Sequence, residues 1–298
     1  MVVTASSPSL PEVSPVASAP NAGAAFAAAR RQGTPVEVSD QTTETKRVFA
    51  QPDGQLNAEL ASMPVRVRRG AGWVPVNTTL TKSGSGFVHP QATVDDLSFS
   101  AGGDAPLVTF GKGDKTLSLS WPQKLPVPTL DGPTATYHEV FPGVDLVMQA
   151  AADGYNERLV VKNATAAKNP ALKSIAFKLA AKGVTVSSDQ SGRIEAVDAA
   201  GNLVFAAPTS TMWDARGPEV ASAPVEATVK ESTLLLHPAV AMLEDPGTRF
   251  PVVIDPDMHS WNQSMWAKVF NPTGSARARR VLPPAPPPRS PTAGRVRR

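Results

Sequence analysis

The sequence predicts an all-β fold: an antiparallel β-sandwich module, of one lobe or two packed lobes, with a disordered leader and tail. Three observations lead there. Short β-prone runs recur at close intervals with turn residues between them, the pattern of sandwiches and barrels. The 298 residues include 30 Pro and 21 Gly, which suits short strands joined by turns. Long amphipathic helices are missing, and residues 135–163 read as a strand, a corner and a hairpin in succession.

That stretch, ATYHEVFPGVDLVMQAAADGYNERLVVKN, organises the reading of the rest. Its corner is Phe141-Pro142-Gly143, and its hairpin turn is placed at Asp153-Gly154. Asp-Gly between β-prone runs is a strong hairpin signal, because the tight mirror-image turns need positive φ. Counting outward, Met148 is expected to face Leu159, Leu146 to face Val161, Gln149 to face Arg158 and Asp145 to face Lys162. Side chains alternate across a strand, so Leu146, Met148, Leu159 and Val161 share the core face. Asp145, Gln149, Arg158 and Lys162 share the solvated one.

The other elements follow in order. Residues 1–34 are rich in Ala, Ser and Pro and are expected to form a disordered leader, with a short helix allowed over residues 24–31. They lack the basic start and apolar run of a secretory signal, and resemble the segment that follows a cleaved one. From residue 35 to 257 strands are expected over residues 55–60, 65–68, 73–76 and 116–121, with Leu117, Leu119 and Trp121 on one face. More are expected over residues 175–179, 183–187, 194–197, 203–205, 225–229, 234–236 and 250–254. The Pro-rich residues 122–134 either divide two lobes, the favoured expectation, or cross between sheets. Residues 258–276 read as the truncated start of a following module, and residues 277–298 as a disordered Arg/Pro tail.

Composition narrows the function classes. Of the 29 basic residues, seven are arginines within 277–298; the remaining 22 face 26 acidic ones, so the body carries −4. A nucleic-acid footprint is therefore not expected. The chain has no Cys, which excludes disulfides, thiol catalysis and Cys-ligated zinc. No apolar run approaches the roughly 18 residues that span a bilayer.

Several segments carry a family resemblance. They are residues 120–130 (SWPQKLPVPTL), 135–146 (ATYHEVFPGVDL), 159–162 (LVVK), 208–214 (PTSTMWD) and 249–256 (RFPVVIDP). In this order the chain resembles a module near the N-terminus of large secreted actinobacterial proteins. There the module precedes LamG-like, DNRLRE-type or RHS-repeat regions, and related segments occur in bacterial wall-associated proteins. The resemblance implies export to the exterior or cell surface and a non-catalytic structural role. It also implies downstream modules of the same protein as partners, and no catalytic residues to carry over.

Candidate sites are few. His89, His138, His237 and His259 lack ligand spacing. Asp255, Asp257 and His259 mix carboxylates with an imidazole, but they read as a polar strand exit in preference to a metal site. Glu139 and Asp145 would form a glycosidase-like pair only at a fixed separation. Glu157 falls on the core face by the counted register, opposite Ala150, where an open sheet end would let it reach water or an Arg. Trp121 and Trp213 are expected in the core, whereas Trp261 and Trp266 are the candidate platform for cell-wall or extracellular glycan. No catalytic set, cofactor fingerprint or metal site is expected. Three function classes remain: a structural module, an extracellular glycan-binding or adhesion domain, and a fragment of a secreted hydrolase.

Overall fold

The computed structural model describes residues 15–84, 86–255 and the backbone of 258–260. The chain divides into two compact units, with the boundary between Ser62 and Met63.

The described part of the first unit comprises β1 (Ser18–Ala19), α1 (Ala22–Gln32), β2 (Val36–Val38), β3 (Lys46–Ala50) and β4 (Leu56–Leu60). The strands form one sheet in sequence order. The expected disordered leader is thus folded from Ser18 onward, and the helix allowed there forms. The reason is local. Alanine has the highest helix propensity, Asn21 caps the N-terminus by accepting the Ala24 N–H, and Gly33 ends the helix at φ +70°. Ala25, Ala28 and Ala29 lie at helical spacing and are buried with Val36, Val38, Val48 and Ala50, so small side chains let helix and sheet approach closely.

The second unit contains the sandwich. Its strands are β5 (Arg66–Arg69), β6 (Gly72–Pro75), β7 (Asn77–Lys82), β8 (Phe87–Ala92), β9 (Asp96–Ser100), β10 (Val108–Lys112) and β11 (Lys115–Ser120). Next come β12 (Thr129–Asp131), β13 (Thr134–Phe141), β14 (Val144–Ala150), β15 (Gly154–Val161) and the one-turn helix α2 (Ala164–Ala167). The series continues with β16 (Ile175–Lys182), β17 (Thr185–Ser188), β18 (Ile194–Val197), β19 (Leu203–Ala207), β20 (Thr211–Trp213) and β21 (Ser222–Pro224). Last are β22 (Glu226–Lys230), β23 (Thr233–His237), α3 (Val240–Glu244), β24 (Val252–Asp255) and β25 (Met258–Ser260).

One antiparallel sheet runs β22-β23-β16-β11-β10-β9-β8-β7. The other runs β12-β13-β14-β15-β25-β19-β18-β17, with β24, β20 and β21 branching from β15. The Pro-rich stretch does not divide lobes: it carries the chain from β11 in the first sheet to β12 in the second, and Leu125 bridges to Gly103 on the way. Aromatic rings fill the space between the layers. Tyr155 meets Phe99 and Phe110 edge-on at 6.3 and 6.0 Å, and Phe110 lies 4.9 Å from Phe205. Trp121 packs on Phe141 and Phe177, as its apolar strand context predicts.

The central meander differs from the expected register. Leu146 faces Leu159, Val144 faces Val161, Met148 faces Glu157, Gln149 faces Asn156, Val147 faces Arg158 and Asp145 faces Val160. The two-residue turn is Ala152-Asp153, closed by the Ala151 N–H donating to the Gly154 carbonyl, and neither Asp153 nor Gly154 has positive φ. Moving a turn by one residue shifts every pair by two, which preserves both faces. Leu146, Met148, Leu159 and Val161 are accordingly all fully buried. Phe141-Pro142-Gly143 is a tight turn and not an open corner, since Phe141 pairs with Val144 and Gly143 takes φ +73°.

Residues 258–260, assigned above to a following module, form β25 inside this sheet. It pairs with Gly154 and Tyr155 on one side and with Phe205 and Ala206 on the other.

Candidate functional site

Three sets of polar residues stand out, and two of them serve the fold. The first surrounds the Pro142-Gly143 turn. A bulge between Tyr137 and Phe141 leaves Glu139 at φ +56°, a conformation that L-residues adopt only when held there. Asp145 supplies the hold: it accepts the Glu139 N–H at 2.9 Å, and His138 Nδ1 lies 3.1 Å from its other oxygen. The Glu139 carboxylate accepts the Gly143 N–H at 2.6 Å. Lys162 Nζ sits between the acids, 2.6 Å from Glu139 and 2.7 Å from Asp145.

This geometry fixes the protonation states. The hydrogen bond from Lys162, helped by the Gly143 amide, holds the Glu139 carboxyl below its usual range. Partial burial pushes Asp145 upward, but Lys162, the Glu139 amide and His138 together outweigh it and leave its carboxyl lowered. Lys162 is raised in turn, first by Asp145 and then by Glu139. The structure therefore does bring the suspected glycosidase pair together, on a shared ammonium. A general acid needs a raised pKa, so an ionised, lysine-bridged pair is poorly suited to that work.

The second set centres on Asp214, the last residue of the PTSTMWD segment. Its buried carboxylate receives Arg216 Nε at 2.9 and 3.1 Å, Arg216 Nη2 at 2.7 Å, and the backbone N–H groups of Arg216 and Arg249. The Arg216 guanidinium overcomes burial, and with these amides it holds Asp214 well below the carboxylate range. The Arg249 contact ties the end of β20 to the start of the RFPVVIDP segment. Those segments are also paired as strands, Met212 facing Ile254 and Trp213 facing Val253, while Leu159 of the LVVK segment faces Ile254 from the other side. Trp213, expected in the core, is only partly buried.

Glu157 needs a correction. The expected open sheet end does not exist, because β25 pairs with Gly154 and Tyr155 and closes it. Glu157 is 2% exposed on the core face, opposite Met148 and between the buried Tyr155 and Leu159. A carboxylate enclosed there has no route to a bulky substrate.

Asp255 accepts from Arg158 Nε at 3.3 Å, which keeps it in the sheet. Asp257, Trp261 and Trp266 lie outside the described residues, as does the side chain of His259, so the proposed platform is not placed. Among the described residues no group of three or more His, Asp or Glu is gathered as metal ligands would be. No helix among them is long and apolar enough to cross a membrane.

The third set was missed by the sequence reading, although its signal is legible as Arg66-Val67-Arg68-Arg69 followed by Trp73. The hairpin β5–β6 pairs with neither large sheet. Arg68 faces Trp73 across it, with the guanidinium 5.4 Å from the indole centroid. Counting charge over the whole body hid this local concentration.

Comparison of the sequence with protein-family models and with curated proteins returns no match.

Proposed function

We propose that this chain is a non-catalytic structural module of a secreted or cell-surface multidomain protein of the LamG, DNRLRE or RHS-repeat kind. The observation that carries the reading is the shared Lys162: the two acids best placed for hydrolysis are ionised and bound to one ammonium that fastens the β13–β14 turn to the end of β15. The Asp214 clasp supports it further, since that buried carboxylate is taken up in joining two strand segments. In this reading the downstream modules of the same protein are the natural partners. A buried acid also has a structural place in it, as Glu157 lies on the sheet face that packs between the layers.

The test is an assay of the purified chain against polysaccharides, esters and peptides beside the Glu139→Gln, Asp145→Asn and Glu157→Gln variants. No turnover above background is expected from any of them. Turnover by the wild type that vanishes in one of the three variants would replace the structural reading with the hydrolase one.

A further inference from the structure

The β5–β6 hairpin has features that the structural role leaves unexplained. Pairing places Arg66 opposite Pro75 and Arg68 opposite Trp73 on one face, and Val67 opposite Val74 and Arg69 opposite Gly72 on the other. Val67 is buried and anchors the hairpin, which leaves its tip in solvent. Arg68 and Arg69 are exposed, and among the described residues neither pairs with a carboxylate; their only hydrogen bonds go to the Gly70 and Arg68 carbonyls. Two unneutralised guanidinium groups on consecutive residues, one to each face of the hairpin, concentrate positive charge at its tip, and guanidinium groups recognise carboxylate and sulfate oxygens. In a body of net −4 this is a local reversal of sign.

Trp73 adds an aromatic surface. The ring is partly exposed, and its Nε1 is buried without a hydrogen-bond partner. One face of the indole carries the Arg68 guanidinium, a placement that cation–π attraction holds only weakly in water, by about 0.5–1 kcal/mol. A stronger anionic partner would draw Arg68 away and uncover the indole. A pyranose ring offers an apolar C–H face that matches an indole face.

We propose that this hairpin binds an acidic polysaccharide, with a carboxylate or sulfate group on Arg68 beside a sugar ring against Trp73, and a second anionic group of the chain on Arg69 at the other side of the tip. A nucleic acid fits less well, because its closely spaced phosphates need a broader basic surface than one hairpin on an acidic body. This inference does not depend on whether the module is catalytic.

The test uses the full chain with a heparin octasaccharide as probe, measured by calorimetry at low and physiological salt. The paired variant Arg68→Ala/Arg69→Ala should bind at least tenfold more weakly. Arg297→Ala/Arg298→Ala removes the same charge from the C-terminal residues and should retain more of the affinity. Trp73→Phe should weaken binding severalfold, since it keeps an aromatic ring but shrinks the platform. If the alanine pair fails to fold, Arg68→Lys/Arg69→Lys serves instead, with at least a threefold loss expected because lysine lacks the planar fork. The proposal is overturned if the hairpin variants bind like the wild type. It is equally overturned if single-stranded DNA of matched charge binds more tightly than the saccharide and loses that advantage in the hairpin variants.

Discussion

The hydroxyl of Tyr137 donates to the carbonyl oxygen of Ser100 at 2.6 Å, a buried hydrogen bond that joins one sheet of the sandwich to the other. Tyr137 has no exposed surface, and burial raises its phenol pKa far above the ordinary value, so it remains a neutral donor at any working pH. Tyr137→Phe removes the donor and leaves a buried carbonyl to find another. The expected cost is about 1–3 kcal/mol, read from urea melts with an unchanged slope. A variant as stable as the wild type would show that this bond contributes nothing net.

A second prediction concerns β15. Leu159 is fully buried between Leu146 and Ile254, so Leu159→Ala should cost about 2–5 kcal/mol through lost transfer energy and the cavity left behind. Arg158, on the other face, makes a partly exposed pair with Asp255, and Arg158→Ala should cost less than about 1 kcal/mol. Denaturant melts of the two variants decide the matter, and a larger loss at Arg158 would reverse the assignment of faces.

That contrast also shows what a sequence can reveal. Alternation in residues 144–161 identified the buried face correctly, and the Ile194–Val197 strand was legible to its ends. Register was not legible, because a shift of two residues leaves every side chain on its own face and hydrophobicity cannot choose between the two pairings. Here the turn sits one residue earlier, and Ala152 accepts a hydrogen bond from the Val94 amide, a contact from a distant loop that no local rule supplies. Glu157 was placed on the core face but not recognised as enclosed, since the strand that closes the sheet beside it, at Gly154 and Tyr155, comes from a distant part of the chain. The short strands Thr211–Trp213 and Ser222–Pro224 were missed as strands for a similar reason: they gain their pairing from β24 and from each other. The bond from Lys162 to both acids needed the bulge at Glu139, which alternation does not encode.

Gly143 gives a steric prediction. A Cβ added there would lie 2.6 Å from the Ala166 Cβ, at φ +73°. Gly143→Ala should destabilise by about 1–3 kcal/mol from overpacking and left-handed strain combined. Adding Ala166→Gly should recover part of that loss beyond additivity, because it opens the space but leaves the backbone strain. Strictly additive melts would place the strain elsewhere.

The turn cluster also sets a pH dependence. Glu139 and Asp145 have lowered folded-state pKa values, so the stability they add is present above the unfolded-chain value of about 4 and is lost as pH falls through the depressed values. Lys162 is raised, so its contribution is complete below about pH 10 and disappears only as pH climbs through the raised value. Lys162→Met should therefore lower the melting temperature at neutral pH and flatten its decline below about pH 4. A variant with the wild-type acid limb would separate the acids from Lys162.

The central claim is that Glu139 and Asp145 are structural acids. The direct measurement is paired: melting temperature and hydrolytic turnover of Asp145→Asn and Glu139→Gln beside the wild type, on one panel of polysaccharides and esters. The account predicts a lower melting temperature in both variants, the larger fall for Asp145→Asn because Asp145 is the less exposed acid and also contacts His138, and no turnover in any of the three. Wild-type turnover that disappears in Asp145→Asn while its melting temperature stays unchanged would contradict it.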